Sequence, residues 1–246
     1  MPMIAFARFE VLRTLRTPKF LGFLIVMPVG LYLLFADVIT GPNTARAAGA
    51  TGTMIAIGTY AATASAMYAT GPELALDRGN GWLRQLFTTP LTFTRWMIAK
   101  LLLALAISLP GTVAVGVTAV LADGVHLHIG QWIALLLIML AAAVPFAFLG
   151  HMIGLLLSNQ AASAGQVLVL FTLSFLGGVF IPSTALPEAA RQIAEFTPTS
   201  HALTLAQAAA SATPVPWAHL GALALITVIV AVVTGVLWRR DGATGS

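Results

Sequence analysis

Apolar residues in this chain gather into six long runs separated by short polar intervals. The runs cover residues 20–36, 50–71, 96–121, 132–157, 161–181 and 217–238. Each is close to the ~20 residues that a helix needs to cross a hydrocarbon layer. Pro28 interrupts the first, which a membrane helix tolerates when its neighbours satisfy the freed backbone groups. The second is rich in Gly, Ala, Ser and Thr, and Pro72 and Glu73 mark its end. Such small residues let helix backbones approach closely, so this run is expected inside a bundle or across a dimer seam. Only Ser158, Asn159 and Gln160 separate the fourth run from the fifth, a turn that implies close packing of its two spans. The pattern predicts an all-α polytopic membrane protein with six transmembrane helices in a single domain covering residues 1–246.

Three polar intervals have patterns of their own. In residues 77–100, Trp82, Leu83, Leu86 and Phe87 fall at i, i+1, i+4 and i+5 and share one face of a short helix, while Arg84, Gln85 and Thr88 turn away. An amphipathic helix set between two spans needs a surface to press on, and a soluble partner is the expected one. Pro90 ends it, and Arg95 to Lys100 are expected to anchor the third span at the lipid headgroups. Residues 182–216 are too polar to span and too apolar for an ordinary loop. Pro187 suits the first turn of a short helix on which Ala189, Ala190, Ile193 and Phe196 oppose Glu188, Arg191, Gln192 and Glu195. This segment reads as short helices, interfacial or re-entrant and tucked against the bundle. Residues 1–19, with Arg8, Arg13, Arg16 and Lys19 among apolar residues, read as a basic interfacial helix or as a basic flank that sets topology.

Composition agrees with the pattern. Hydrophobic residues make up 59% and charged residues 8%, against roughly 25% charged in soluble domains. With six spans, ten of the 12 basic residues fall on the side of both termini, leaving Arg46 and Arg191 on the other. That asymmetry places the termini and residues 77–100 in the cytoplasm, with the chain expected in a bacterial inner membrane. It also accounts for the basic balance without nucleic acid. Trp96, Trp132, Trp217 and Trp238 sit at predicted span ends, as an aromatic belt would have them; Trp82 does not.

Catalytic chemistry is nearly absent. No phosphate-binding GxxxxGK[ST] loop occurs, so ATP is not expected on this chain alone. There is no H-E-x-x-H, no nucleophile elbow and no cysteine. His126 and His128 lack a third ligand nearby, and a plain polar loop is the simpler reading. All eight acids lie at span ends or in loops, which leaves no carboxylate for a proton relay. His151 is the titratable group within a span, where hydrogen bonding to a neighbouring helix is its commoner role. Energy for transport is therefore expected from a separate motor.

Gly81-Trp82-Leu83-Arg84-Gln85-Leu86, followed by Pro90 and Lys100, resembles the cytoplasmic signature of type-2 ABC exporter permeases. Gly177-Gly178-Val179-Phe180-Ile181-Pro182, with Leu186-Pro187-Glu188, Arg191, Pro198 and His201, resembles the family's segment after span five. The Trp-Leu-Arg run is most similar to the antibiotic-resistance branch, including the daunorubicin exporter type. Arg84 stands where the family often has an acid, and Gln207 where an arginine is usual.

The resemblance implies a half-transporter with a coupling helix seated in an ATPase subunit. Two ATPase copies would carry ATP and Mg, with no cofactor on this chain. A second permease chain, identical or a paralogue, would complete the unit in contact with membrane lipid. Gly81, Trp82, Leu83, Arg84, Leu86 and Phe87 become the coupling contact; Gly177, Gly178, Pro182 and Pro187 become a re-entrant or gate element. An amphipathic or apolar substrate (drug, natural product or lipid) would then pass Met67, Phe171, Phe175 and Phe180, although core packing or lipid contact is the plainer role for these phenylalanines. The alternatives are an ATP-independent secondary transporter and an intramembrane enzyme or scaffold centred on His151.

Overall fold

The computed structural model describes residues 18–40, 46–86, 92–181 and 187–244, and all of the regular structure among them is helical. In chain order the helices are α1 (Pro18–Thr40), α2 (Arg46–Tyr68), α3 (Gly71–Gly79), α4 (Trp82–Leu86), α5 (Phe93–Asp123), α6 (Ile129–Leu156), α7 (Asn159–Leu176), α8 (Glu188–Ala194), α9 (Pro198–Ala210) and α10 (Trp217–Thr244). The interfacial helix expected over residues 1–19 falls almost wholly outside the described residues.

Among the described residues, three helices contain segments long and apolar enough to cross a membrane: Thr94–Asp123, Ile129–Leu156 and Trp217–Arg240. The chain is therefore a membrane protein. Gly22–Asp37 and Gln160–Leu176 are apolar but shorter. Helix α2 has 23 residues, and its hydroxyl and small side chains dilute its apolarity. It forms the centre of the bundle, packed by α1, α5, α6, α7 and α9. Residues 53–67 are buried apart from Ala56. Of the two settings expected for this run, the structure thus shows the interior of one chain's own bundle. Buried hydroxyls in and against it donate to helix carbonyls: Thr59 to Ile55 (2.8 Å), and Ser108 of α5 across to Ala62 (2.9 Å). Helix α10 lies at the edge, with Leu225, Val228 and Val232 exposed as lipid-facing side chains would be.

Residues 187–216 contain two short helices, the first over the apolar spacing that follows Pro187 and the second behind Pro198. Pro187 immediately precedes α8, whose Ile193 is exposed and is followed by exposed Phe196. Thr197 then caps α9, its hydroxyl accepting from the Ser200 N–H, with Pro198 in the first turn. Buried Ala202, Leu203 and Ala206 hold α9 against α6, α10 and α2. The α9 end of the bundle is tied by Gln131 donating to the Ala210 carbonyl (2.6 Å) and Tyr32 donating to Asp123 (2.6 Å).

Candidate functional site

Helix α2 stops at Tyr68 because the chain bends at Ala69–Thr70 and re-enters a helix behind Pro72. Three features hold this elbow. The Thr70 hydroxyl lies 3.0 Å from the Ala66 carbonyl and 3.1 Å from those of Met67 and, across on α6, Ala147. Gln166 of α7 donates to the Met67 carbonyl at 2.6 Å. These contacts tie the end of α2 to α6 and α7. The third feature is absent volume. A Cβ at Gly150 would lie 2.2 Å from Thr70 Oγ1, and one at Gly154 would lie 2.4 Å from the Gly71 carbonyl oxygen. Bare glycine faces let α6 touch the elbow backbone to backbone.

Helix α3 carries Glu73 in its first turn and Arg78 in its last, the order that suits the helix dipole. The Arg78 guanidinium donates to the Gly154 and Leu155 carbonyls at the C-terminus of α6. Gly81 then turns the chain with φ +69°, a conformation that costs glycine little, and α4 follows.

The five-residue α4 divides the apolar face expected of it. Leu83 is only 8% exposed and joins Leu74, Trp96, Ala99 and Leu155, with Met97, Leu237 and Trp238 packed alongside. Trp82 is 46% exposed. Adjacent helix residues stand ~100° apart, so a wide apolar face on a short helix reaches both inward and outward. Leu83 thus belongs to the chain's own core. The side chains of Arg84 and Leu86, and all of Phe87, lie outside the described residues.

Two further expectations are corrected here. Lys100, expected at the headgroups, is 2% exposed, and its Nζ lies 3.1 Å from Glu73 Oε2. A buried ammonium needs a partner, and the turn of α3 supplies one. Trp96, expected in an aromatic belt, is 1% exposed and stacks on Trp238 with ring centroids 5.4 Å apart. Its other neighbour is His151, edge-on at 5.7 Å. His151 Nδ1 lies 2.7 Å from the Ala147 carbonyl, which makes Nδ1 the protonated nitrogen and leaves the Nε2 lone pair buried. Glu73, Lys100, Trp96, His151 and Trp238 therefore cluster beneath α4. Sequence spacing alone does not bring them together.

Two of the residues expected in a gate, Gly177 and Gly178, shape the end of α7. Gly178 takes φ +87°, the Val179 N–H donates to Ser174 and the Gly178 N–H to Phe175, a left-handed helix cap on α7. A Cβ at Gly177 would lie 1.9 Å from Thr199 Oγ1, whose hydroxyl donates to Leu173 at 2.7 Å. Gly177 and Gly178 thus join α7 to α9, while Pro182 lies outside the described residues. Phe171, Phe175 and Phe180 form one aromatic group with Tyr60 and Phe35, centroids 5.0–6.4 Å apart. Phe180 is 8% and Met67 0% exposed, whereas Phe175 is 43% exposed. Among the described residues no three metal-ligating side chains converge.

Residues 3–210 match the family model described as ABC-2 type transporter. Over 192 residues, 78% of each chain, the sequence is 22% identical to YvfS of Bacillus subtilis (strain 168), a protein named as a transport permease.

Proposed function

Because the chain belongs to the ABC-2 type transporter family, and is thereby a membrane-spanning transport subunit, we propose that it is half of an ATP-driven exporter whose α4 receives the stroke of a separate ATPase. Helices α1, α2, α5, α6, α7 and α10 are the six spans. Both termini and the α3–α4 segment face the cytoplasm of a bacterial cell, as the ten-to-two split of basic residues favours. Two ATPase copies binding ATP and Mg, and a second permease chain, complete the unit. The cargo is amphipathic or apolar, and the Trp82-Leu83-Arg84 run favours the antibiotic-resistance branch.

One observation carries this reading: Trp82 is exposed while its neighbour Leu83 is locked into a cluster shared by α3, α5 and α6 and flanked by α10. A force on α4 is thereby passed to three long helices at once. The Glu73–Lys100 pair, at 3.1 Å, ties α3 to α5 in the same place. His151 is accounted for as a packing ring between Ala147 and Trp96.

The test is co-purification of the chain with its cognate ATPase, read together with ATP hydrolysis and export. Truncating a tryptophan anchor costs about 2 kcal/mol, roughly 30-fold in affinity. Trp82→Ala is expected to lose that much partner affinity with an unchanged unfolding temperature. Leu83→Ala is expected to lower the unfolding temperature and to uncouple hydrolysis from export. Partner affinity and export equal to wild type in Trp82→Ala would rule out α4 as the contact.

A further inference from the structure

Helices α5 and α6 border a groove of about 380 Å³, with Met54 and Gly58 of α2 also in its lining. Two of its lining glycines, Gly58 of α2 and Gly116 of α5, are covered by side chains of α6. A Cβ at Gly58 would lie 2.9 Å from Met139 Cε, and one at Gly116 would lie 3.1 Å from the Trp132 ring. The lining is apolar except for the Trp132 indole N–H and for Thr112, whose hydroxyl proton is committed to the Ser108 carbonyl at 2.8 Å. No free hydroxyl remains for a polar cargo or a headgroup.

Depth and direction narrow the occupant further. Along α5 the groove runs from Thr112 to Leu121, about 14 Å at ~1.5 Å per residue. That is close to one leaflet of a ~30 Å hydrocarbon layer. Val117 is 51% and Leu121 81% exposed, so the groove opens sideways on helices that the chain presents to lipid. It ends at the α5–α6 connection, where His126 and His128 are exposed, the level at which headgroups lie. A narrow apolar slot, one leaflet deep and open to the bilayer, complements a hydrocarbon chain held by its head at the surface.

We propose that this groove binds one acyl chain of a phospholipid from the leaflet on the α5–α6 connection side, as a resident lipid separate from the Phe171–Phe175–Phe180 cluster. The site does not depend on the proposed ATPase contact, which lies at the opposite end of α5.

The test uses the full chain in nanodiscs containing a phospholipid with a diazirine midway along one acyl chain. Cross-linked peptides are identified by mass spectrometry, with and without excess unlabelled phospholipid. Saturable labelling of the α5 and α6 groove residues is expected, beside non-saturable labelling of the Val228 face of α10. Val117→Phe, which fills the groove from its open side, is expected to cut the saturable component by about tenfold, the loss of a few methylene contacts. Val113→Phe serves as a second filling variant, and both are compared only if they elute and unfold as the wild type does. Two results would overturn the proposal. One is groove labelling that is non-saturable or unchanged in both variants. The other is preferential capture of a diazirine alkane lacking a phosphate, which would make the groove a cargo site.

Discussion

Substituting Gly154 by alanine tests the elbow directly. The added Cβ would lie 2.4 Å from the Gly71 oxygen and 3.1 Å from Leu74 Cβ, where ordinary contact begins at 3.4 Å. The elbow must therefore retreat by about 1 Å. It has little freedom to do so. The space beside Gly71 is taken by Gln166 Nε2 and the Gly150 carbonyl, and Gln166 is itself bonded to Met67. Overpacking of this kind costs about 1–3 kcal/mol, partly offset by the ~1 kcal/mol by which alanine exceeds glycine in helix propensity. The net loss is about 0–2 kcal/mol, which lowers the unfolding temperature of a chain this size by up to about 8 °C. The assay is thermal unfolding in detergent, followed by tryptophan fluorescence. Gly221→Ala on α10 is the matched control, because nothing lies within 4 Å of its Cβ position. It is expected to be neutral or stabilising. If Gly154→Ala behaved like Gly221→Ala, α6 and the elbow would not be in contact and the reasoning would fail.

Three further outcomes follow from the same geometry. Lys100→Met removes the buried ammonium that pairs with the partly exposed Glu73 carboxylate and is expected to cost about 1–2 kcal/mol, part of which Glu73→Leu in the same chain restores; a double-mutant cycle in thermal unfolding reads the coupling. Gly178→Ala forces an L side chain to φ +87° and is expected to destabilise by roughly 1–2 kcal/mol, whereas Gly52→Ala, with open space around it, is not. Burial, reinforced by His219 at 2.9 Å between Nδ1 atoms, holds His201 below its ordinary value of 6.5. The unfolded chain then binds more protons than the folded chain below that pH. Stability should fall as pH drops from 6.5 toward the lowered folded value, and be insensitive to this group above it. The slope is at most about 1.4 kcal/mol per pH unit. Unfolding temperatures measured across this range should flatten in His201→Gln, and a wild type that gained stability on acidification would contradict the assignment.

The helical class and the principal apolar runs were legible because hydrocarbon length and helical rise constrain them locally. What a helix faces was less so. Trp96 and Lys100 satisfy the pattern of a span end at the headgroups, yet both are enclosed. The partners that enclose them, Trp238 and Glu73, lie far along the chain and are brought near only by folding. Leu83 shows the same difficulty at shorter range, since an amphipathic face reads identically whether it meets a partner or its own bundle. The elbow was hidden for another reason. Gly71, Gly150 and Gly154 lie in segments where small residues are common, and only the close approach distinguishes them. Short helices were expected in 182–216, but the extent of α9 was obscured because it is buried on several sides and lacks a clean polar face.

Helix α4 spans five residues, and Gln85 N–H to the Gly81 carbonyl, at 3.4 Å, is a weak bond across it. Helix nucleation is unfavourable and is repaid only over longer runs, so so short a helix persists through what holds it. Leu83 in its cluster and the left-handed turn at Gly81 are those supports. Amide hydrogen exchange across residues 83–86 consequently reports the undocking of one leucine rather than the fraying of a helix. Slower exchange on addition of a partner would measure how firmly that partner keeps the leucine seated, making the backbone of this small element a clock for the state of the bundle beneath it.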